Sequence, residues 1–133
     1  MAAVRTDRQQ SGDGAESLVA DQLAVGGWTI LARNVRAGRG ELDLVAIDPG
    51  PPRELVIVEV RWRASRSFGL AEETVAFRKR AHLRAAIGRL LADGIVDGAP
   101  LPRQPVRVDL IVVEPPAVGR DQPRLRHHRA IAL

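Results

Sequence analysis

The stretch 40–60, GELDLVAIDPGPPRELVIVEV, decides the fold of this 133-residue chain. It holds two apolar runs, 41–48 and 55–60, on either side of the Pro- and Gly-rich loop 48–53. Each run is apolar on both faces over much of its length, which is typical of strands in a sheet covered on both sides. The sequence therefore predicts a hairpin at the centre of a covered sheet.

The flanking sequence supplies the other elements of an α/β fold. Periodic apolar residues and turn signals predict helices over 13–25 and 77–92 and strands over 28–33, 41–48, 54–62 and 106–114. The segment 125–133 fits a last edge strand or a helical turn. Residues 1–12 are expected to form a flexible N-terminal tail, and 13–133 a single domain with a mixed central sheet flanked by helices.

The composition excludes several classes of protein. The chain has no cysteine, which rules out disulfides, thiol nucleophiles and cysteine-ligated metals. No apolar run approaches the ~20 residues of a membrane-spanning helix, and the polar N-terminus lacks a secretory signal, so we expect a cytoplasmic protein. The net charge of +4 and the pI near 11.1 mildly indicate nucleic-acid binding, although codon bias in a GC-rich genome also produces an arginine-rich chain.

The predicted hairpin places two carboxylates opposite each other. A loop over 48–53 pairs Asp43 with Glu59 and, further out on the same face, Glu41 with Arg61. Buried like charges are unfavourable unless a cation or a proton compensates. The pair therefore indicates a site for Mg²⁺ or Mn²⁺, whose preferred ligands are oxygens. The alternatives are that Arg61 neutralises the cluster, or that the register slips and separates the pair.

Two helical side chains also stand out. Glu16 extends the apolar stripe of the first helix toward the sheet, but a capping box with Asp13 is the favoured interpretation from spacing alone. Lys79 lies on the stripe of the second helix, in a cationic first turn that suits a phosphate, and snorkelling to water explains it equally well. The adjacent His127 and His128 would face opposite sides of a strand, so a structural role is expected.

Together these motifs resemble the YraN family of small, uncharacterised, endonuclease-like bacterial proteins. The resemblance covers roughly 11–114. It rests on Gly40-Glu41-Leu42-Asp43-Leu44-Val45, Val58-Glu59-Val60-Arg61-Trp62-Arg63, Lys79 and Val106-Arg107-Val108-Asp109-Leu110-Ile111-Val112. The family is similar to the restriction-endonuclease-like, or PD-(D/E)xK, superfamily, which includes Holliday junction resolvases. The resemblance implies that fold and a metal-dependent nuclease, a hydrolase that would act on nucleic acid, with branched DNA as one candidate substrate.

The resemblance also implies roles for individual residues. Asp43 and Glu59 would be catalytic and would hold Mg²⁺ or Mn²⁺, and Glu16 would complete or orient the site. Arg61 stands where the superfamily usually has lysine; arginine is a poor base but stabilises charge on a phosphate. The backbone phosphates are expected at Arg39, Arg63, Arg66 and Lys79.

Two other functions compete with catalysis. One is a non-catalytic nucleic-acid-binding module with a relic nuclease site, which Arg61 favours. The other is a protein-interaction adaptor whose carboxylates form only a salt-bridge cluster. The expected partner is nucleic acid, with DNA favoured, and no membrane; the sequence leaves a homodimer open.

Overall fold

A computed structural model describes residues 7–63 and 77–133, and their side chains over 14–63 and 79–133. In these ranges the elements, in chain order, are α1 (Asp7–Val25), β1 (Thr29–Ala37), β2 (Gly40–Asp48), β3 (Glu54–Trp62), α2 (Phe77–Asp93), β4 (Ile95–Val96), β5 (Ala99–Pro100), β6 (Val106–Glu114) and β7 (Arg124–His128). The predicted α/β class, with a mixed central sheet flanked by helices, is confirmed.

The main sheet has the strand order β1-β2-β3-β6-β7. The pair β3–β6 is parallel and the other neighbours are antiparallel. The central hairpin has the predicted register from Asp48–Glu54 to Leu44–Val58, where the ladder ends, so the predicted pairs Asp43–Glu59 and Glu41–Arg61 are not ladder pairs. The short strands β4 and β5 form a separate antiparallel pair that the sequence did not predict.

Helices cover the sheet on both faces, which explains the apolar character of its central strands. The α1 face is packed from residues such as Val19, Leu44 and Val58. The α2 face is packed from residues that include Leu83 and Ile57. No helix in the described ranges is long and apolar enough to cross a membrane.

Helix α1 begins before the position that the sequence predicts. It starts at Asp7, so Asp13 lies inside the helix and cannot cap it. The capping-box interpretation of Glu16 is therefore wrong, and residues 7–12 are helical. Residues 1–6 lie outside the described part of the chain. At the other end, 124–128 form the edge strand β7, the first of the two predicted alternatives.

Candidate functional site

Three carboxylates from three elements meet at one end of the β2–β3 pair. Glu16 comes from α1, Asp43 from β2 and Glu59 from β3. The Asp43 carboxylate is close enough to both glutamates to raise their pKa values. The structure thus brings together the predicted pair Asp43 and Glu59, and it adds Glu16 to them.

The backbone of β3 fixes the Asp43 side chain. The N–H of Val60 donates to Asp43 Oδ2 at 2.8 Å, next to the last regular ladder pair, Leu44 with Val58. The Asp43 carboxylate thus accepts a hydrogen bond from Val60 that, in a continuing ladder, a backbone carbonyl of β2 would accept. Glu41, which the sequence placed in the same cluster, is exposed and pairs with Arg36 of β1.

Burial and mutual repulsion favour the protonated form of both glutamates. Burial, followed by the charge of Asp43, raises the pKa of Glu59 to about 7, even though Lys79 opposes the shift. Burial and the same Asp43 carboxylate raise the pKa of Glu16 to about 7, with a smaller contribution from Glu41. The two glutamates therefore exchange protons near neutral pH.

The cation in contact with Glu59 is Lys79. Its Nζ lies 3.0 Å from Glu59 Oε1; the Glu59 side chain is 7% exposed and the Lys79 side chain 42%. Lys79 belongs to the first turn of α2, so the chain delivers this ammonium from a helix and not from the strand that carries Arg61. The sequence signal was its position on the buried stripe, four residues before Leu83.

The two glutamates each keep one oxygen without a hydrogen-bond partner. Glu16 Oε2 and Glu59 Oε2 are buried, and within the described part of the chain neither has a donor. An unsatisfied buried oxygen is costly, and more so for a charged group. Carboxylate oxygens of this kind are the donors that a hard divalent cation uses.

The set of protein ligands is small. Over 14–63 and 79–133, no group of three or more His, Asp or Glu side chains has an arrangement that could hold a metal ion. The pair Asp43 and Glu59 nevertheless fits Mg²⁺, which is commonly bound through one or two carboxylates together with waters and substrate phosphates. Glu16 reaches the pair only through Asp43.

The predicted phosphate contacts are dispersed. Arg39 is exposed in the β1–β2 turn, beside a cleft of about 420 Å³ that His82 also lines. Arg63, for which a phosphate contact was predicted, is only 8% exposed. Arg61 is half-buried near the end of β3, and Arg66 lies outside the described residues.

A second polar cluster, which the sequence did not reveal, lies on the α1 face of the sheet, the face of Ile111 and Val113. Asp109 is 0% exposed and accepts from Arg107 Nε at 2.8 Å, from Arg107 Nη2 at 2.9 Å and from the N–H of Ala130 at 2.9 Å. His127 Nε2 lies 2.7 Å from Asp109 Oδ2. Burial acts against it, but these bonds hold the pKa of Asp109 well below its usual range. His127 thus has the structural role expected of it.

The mixed sheet between two helices places the protein in the α/β class. Its candidate site consists of an acidic pair and a lysine that contacts one of the two acids. Within that class, this chain belongs to the uncharacterised protein family UPF0102, whose sequence model matches residues 15–113. The match confirms the resemblance to the YraN family. The matched range contains Glu16, Asp43, Glu59 and Lys79.

Several relatives share most of their length with this chain. A UPF0102 protein of Roseiflexus castenholzii is 39% identical over 107 residues, which are 80% of each chain. One of Frankia alni is 40% identical over 78% of this chain and 80% of its own. One of Symbiobacterium thermophilum is 39% identical over 86% of this chain and 90% of its own.

Proposed function

We propose that the protein is a metal-dependent nuclease that hydrolyses phosphodiester bonds in nucleic acid. One observation carries the proposal: Asp43 and Glu59 are held together beside Lys79, and Glu59 keeps a buried oxygen without a partner among the described residues. Such a carboxylate pair is unfavourable by itself. Functional sites commonly contain groups whose pKa values are shifted in this way.

Each of the three acidic residues has its own role in the proposed reaction. Asp43, oriented by the N–H of Val60, and Glu59 would hold Mg²⁺ or Mn²⁺. When bound, the ion would lower the pKa of a water and polarise the scissile phosphate. Glu16 is a positioning residue because it contacts Asp43 and adds negative charge to the site.

Lys79 takes the place of the lysine that the third motif position lacks. Its ammonium is already beside Glu59 and is 42% exposed, so it can also donate to a phosphate at the mouth of the site. A fixed cation at that position stabilises the negative charge that builds on the phosphate during hydrolysis. Arginine at position 61 is therefore compatible with catalysis in this proposal.

The test is cleavage of labelled linear, flapped and four-way DNA by the full chain with Mg²⁺ or Mn²⁺. Glu59→Gln should abolish cleavage and leave DNA binding within about threefold, because this residue acts on the water and not on the duplex. Glu41→Gln removes an exposed carboxylate close by and should retain cleavage. Equal activity of the two variants would contradict the assignment of Glu59.

The role of Lys79 is tested by comparing the cleavage rates of variants at Lys79 and at the neighbouring Arg80. Lys79→Ala should lower the cleavage rate by about 10²-fold or more, as for the loss of one preorganised charge donor. Arg80→Ala, which removes a cation one position along α2, should have little effect. If both lower the rate equally, the helix acts only through general positive charge.

A non-catalytic nucleic-acid-binding module is the second candidate. The incomplete set of ligands in the described part of the chain favours it, as does Lys79, which already neutralises one oxygen of Glu59. It predicts DNA binding that falls steeply with salt, with no cleavage of any substrate under either metal.

A further inference from the structure

Beyond the carboxylate site, the edge strand β7 carries a row of basic residues that the register aligns with β3. Arg61 pairs with Val112 of β6, and Val112 pairs with Arg126 of β7. Glu59 is aligned with His128 in the same way, through Leu110. Two strand spacings separate each such pair, about 10 Å between backbones.

These residues share the sheet face that is opposite to α1. Residues paired across a ladder point to the same face. Leu110 and Val112 belong to a cluster with Ile131, whereas Ile111 and Val113 pack in the α1 cluster. The side chains of Glu59, Arg124 and Arg126 are therefore on one face, the face on which Lys79 contacts Glu59.

Among the described residues, the β7 end of this face has two arginines, Arg124 and Arg126, beside Glu114. Glu114 is buried and forms a hydrogen-bonded ion pair with Arg126. Arg124 Nη2 lies 3.6 Å from Glu114 Oε2, outside hydrogen-bond distance, and the Arg124 side chain is 47% exposed. The guanidinium of Arg124 has five donors with which to meet an anion. Arg120 and Asp121, in the β6–β7 connection, are exposed as well and line the same cleft as Arg124.

We propose that Arg124, with Arg120, is a phosphate-binding platform that holds the nucleic-acid backbone beside the carboxylate site. The proposal rests on the proposed function and names a surface that contacts the substrate away from the reacting bond. Arg124 of β7 pairs with Glu114 of β6, and Glu59 of β3 pairs with Leu110 of β6. Glu114 and Leu110 are four residues apart along β6. That places Arg124 about 16 Å from Glu59, given 3.3 Å per residue and 4.8 Å between strands.

The distance defines what the platform contacts. One strand of a B-form duplex rises about 3.4 Å per nucleotide, so 16 Å corresponds to about five nucleotides. Arginine binds phosphate oxygens in a fork, and contacts of this kind position the backbone without reading its sequence. The platform should therefore increase affinity and orient the strand equally for all sequences.

The experiment compares two charge reversals in the full chain. Arg124→Glu removes the platform, and Arg103→Glu makes the same change at an exposed residue before β6, at the opposite end of that strand. Binding to labelled duplex DNA is measured in EDTA, so that no cleavage occurs. We expect a loss of affinity of more than about tenfold for Arg124→Glu and of less than about threefold for Arg103→Glu, because only the first charge would lie at a phosphate.

Two milder variants keep the test valid if the reversal disturbs folding. Arg124→Gln should reduce the dependence of log affinity on log salt by about one unit, as for one lost phosphate contact. Arg124→Lys retains the charge and should keep that salt dependence. Equal effects of Arg124→Glu and Arg103→Glu would overturn the proposal.

Cleavage measured in parallel separates the two proposals. If the unmodified protein cleaves DNA and Arg124→Glu behaves like Arg103→Glu, the platform is wrong and the nuclease proposal stands. If the unmodified protein neither binds nor cleaves DNA at low salt, both are wrong. If polyglutamate of matched charge binds as tightly as DNA, the surface fits acidic protein segments, and its assignment to nucleic acid is wrong.

Discussion

At the scale of single residues, the two carboxylate oxygens of Glu59 have different environments. One oxygen is neutralised by Lys79 at 3.0 Å, and the other is buried without a partner in the described part of the chain. Its pKa is raised to about 7, so at neutral pH the site is poised between holding a proton and holding a cation. A divalent ion would compete directly with that proton.

We therefore predict that Mn²⁺ stabilises the folded protein more at high pH than at low pH. At a concentration 100 times its dissociation constant, a ligand specific for the folded state adds about 2.7 kcal/mol. Millimolar Mn²⁺ should raise Tm by several degrees at pH 8 and by less at pH 6, measured by circular dichroism. Asp43→Asn should remove the rise, and Asp21→Asn, at an exposed position of α1, should not. No rise at pH 8 in the unmodified protein would count against a metal site.

The carboxylate pair was predictable from sequence, whereas the roles of Glu16 and Lys79 were only partly so. Asp43 and Glu59 follow from the hairpin register, which a short Pro-rich loop and two apolar faces specify. The interpretation of Glu16 depended on where α1 begins, and helix starts are set by tertiary packing as much as by capping residues. The contact of Lys79 joins elements far apart in sequence, so spacing alone left it open between a phosphate and water.

At the scale of elements, the β1–β2 hairpin and α2 must approach closely to build the site. A Cβ atom added at Gly40 would lie 3.0 Å from the Cβ of Ala86, so glycine permits the contact between β2 and the helix that carries Lys79. A Cβ atom added at the exposed Gly88, two residues further along α2, would meet no described atom within 4 Å. The helix thus packs tightly at Ala86 and leaves open space at Gly88.

The two glycines should respond oppositely to substitution. Gly88→Ala should stabilise the protein by about 0.5–1 kcal/mol, because alanine is the better helix former. Gly40→Val should lower Tm and weaken the site, since its larger side chain must displace Ala86. Thermal unfolding of both variants checks the effects on stability, and the Mn²⁺-induced rise in Tm checks the effect on the site. A Gly40→Val variant as stable as the unmodified protein would show that α2 packs less closely on β2.

At the scale of the whole molecule, the two faces of the sheet differ in how their acidic side chains are balanced. On the α2 face Glu59 contacts Lys79 but also lies beside the Asp43 carboxylate, whereas on the α1 face each acid of the Asp109 cluster contacts an arginine. There Arg107 bridges Asp109, Asp48 and Glu54, and Arg129 also contacts Asp48. The Asp109 cluster fixes the C-terminal segment to β6, whereas Glu59 keeps a raised pKa beside Asp43. Sequence could not reveal this division, because it arises from contacts between residues up to 81 positions apart.

This division predicts the pH dependence of stability. The pKa of Asp109 is lower in the folded than in the unfolded chain, so its contribution is present above the unfolded value near 4 and is lost as pH falls below it. The pKa values of Glu16 and Glu59 are raised to about 7, so their protonated forms favour folding at low pH, and that contribution is lost as pH rises through 7. Without metal, Tm should therefore be highest between about pH 4 and 5, should fall as pH rises toward 7, and should fall again below about pH 4. Asp109→Asn should lower Tm throughout and flatten the acid side, because it leaves Arg107 buried with one charge partner fewer. Asp43→Asn should flatten only the alkaline side, and only in part, because it removes the repulsion that adds to burial in raising both glutamate pKa values. The measurement is thermal unfolding of the three proteins from pH 3 to 9, and an alkaline side unchanged by Asp43→Asn would show that the charge of Asp43 does not raise the glutamate pKa values.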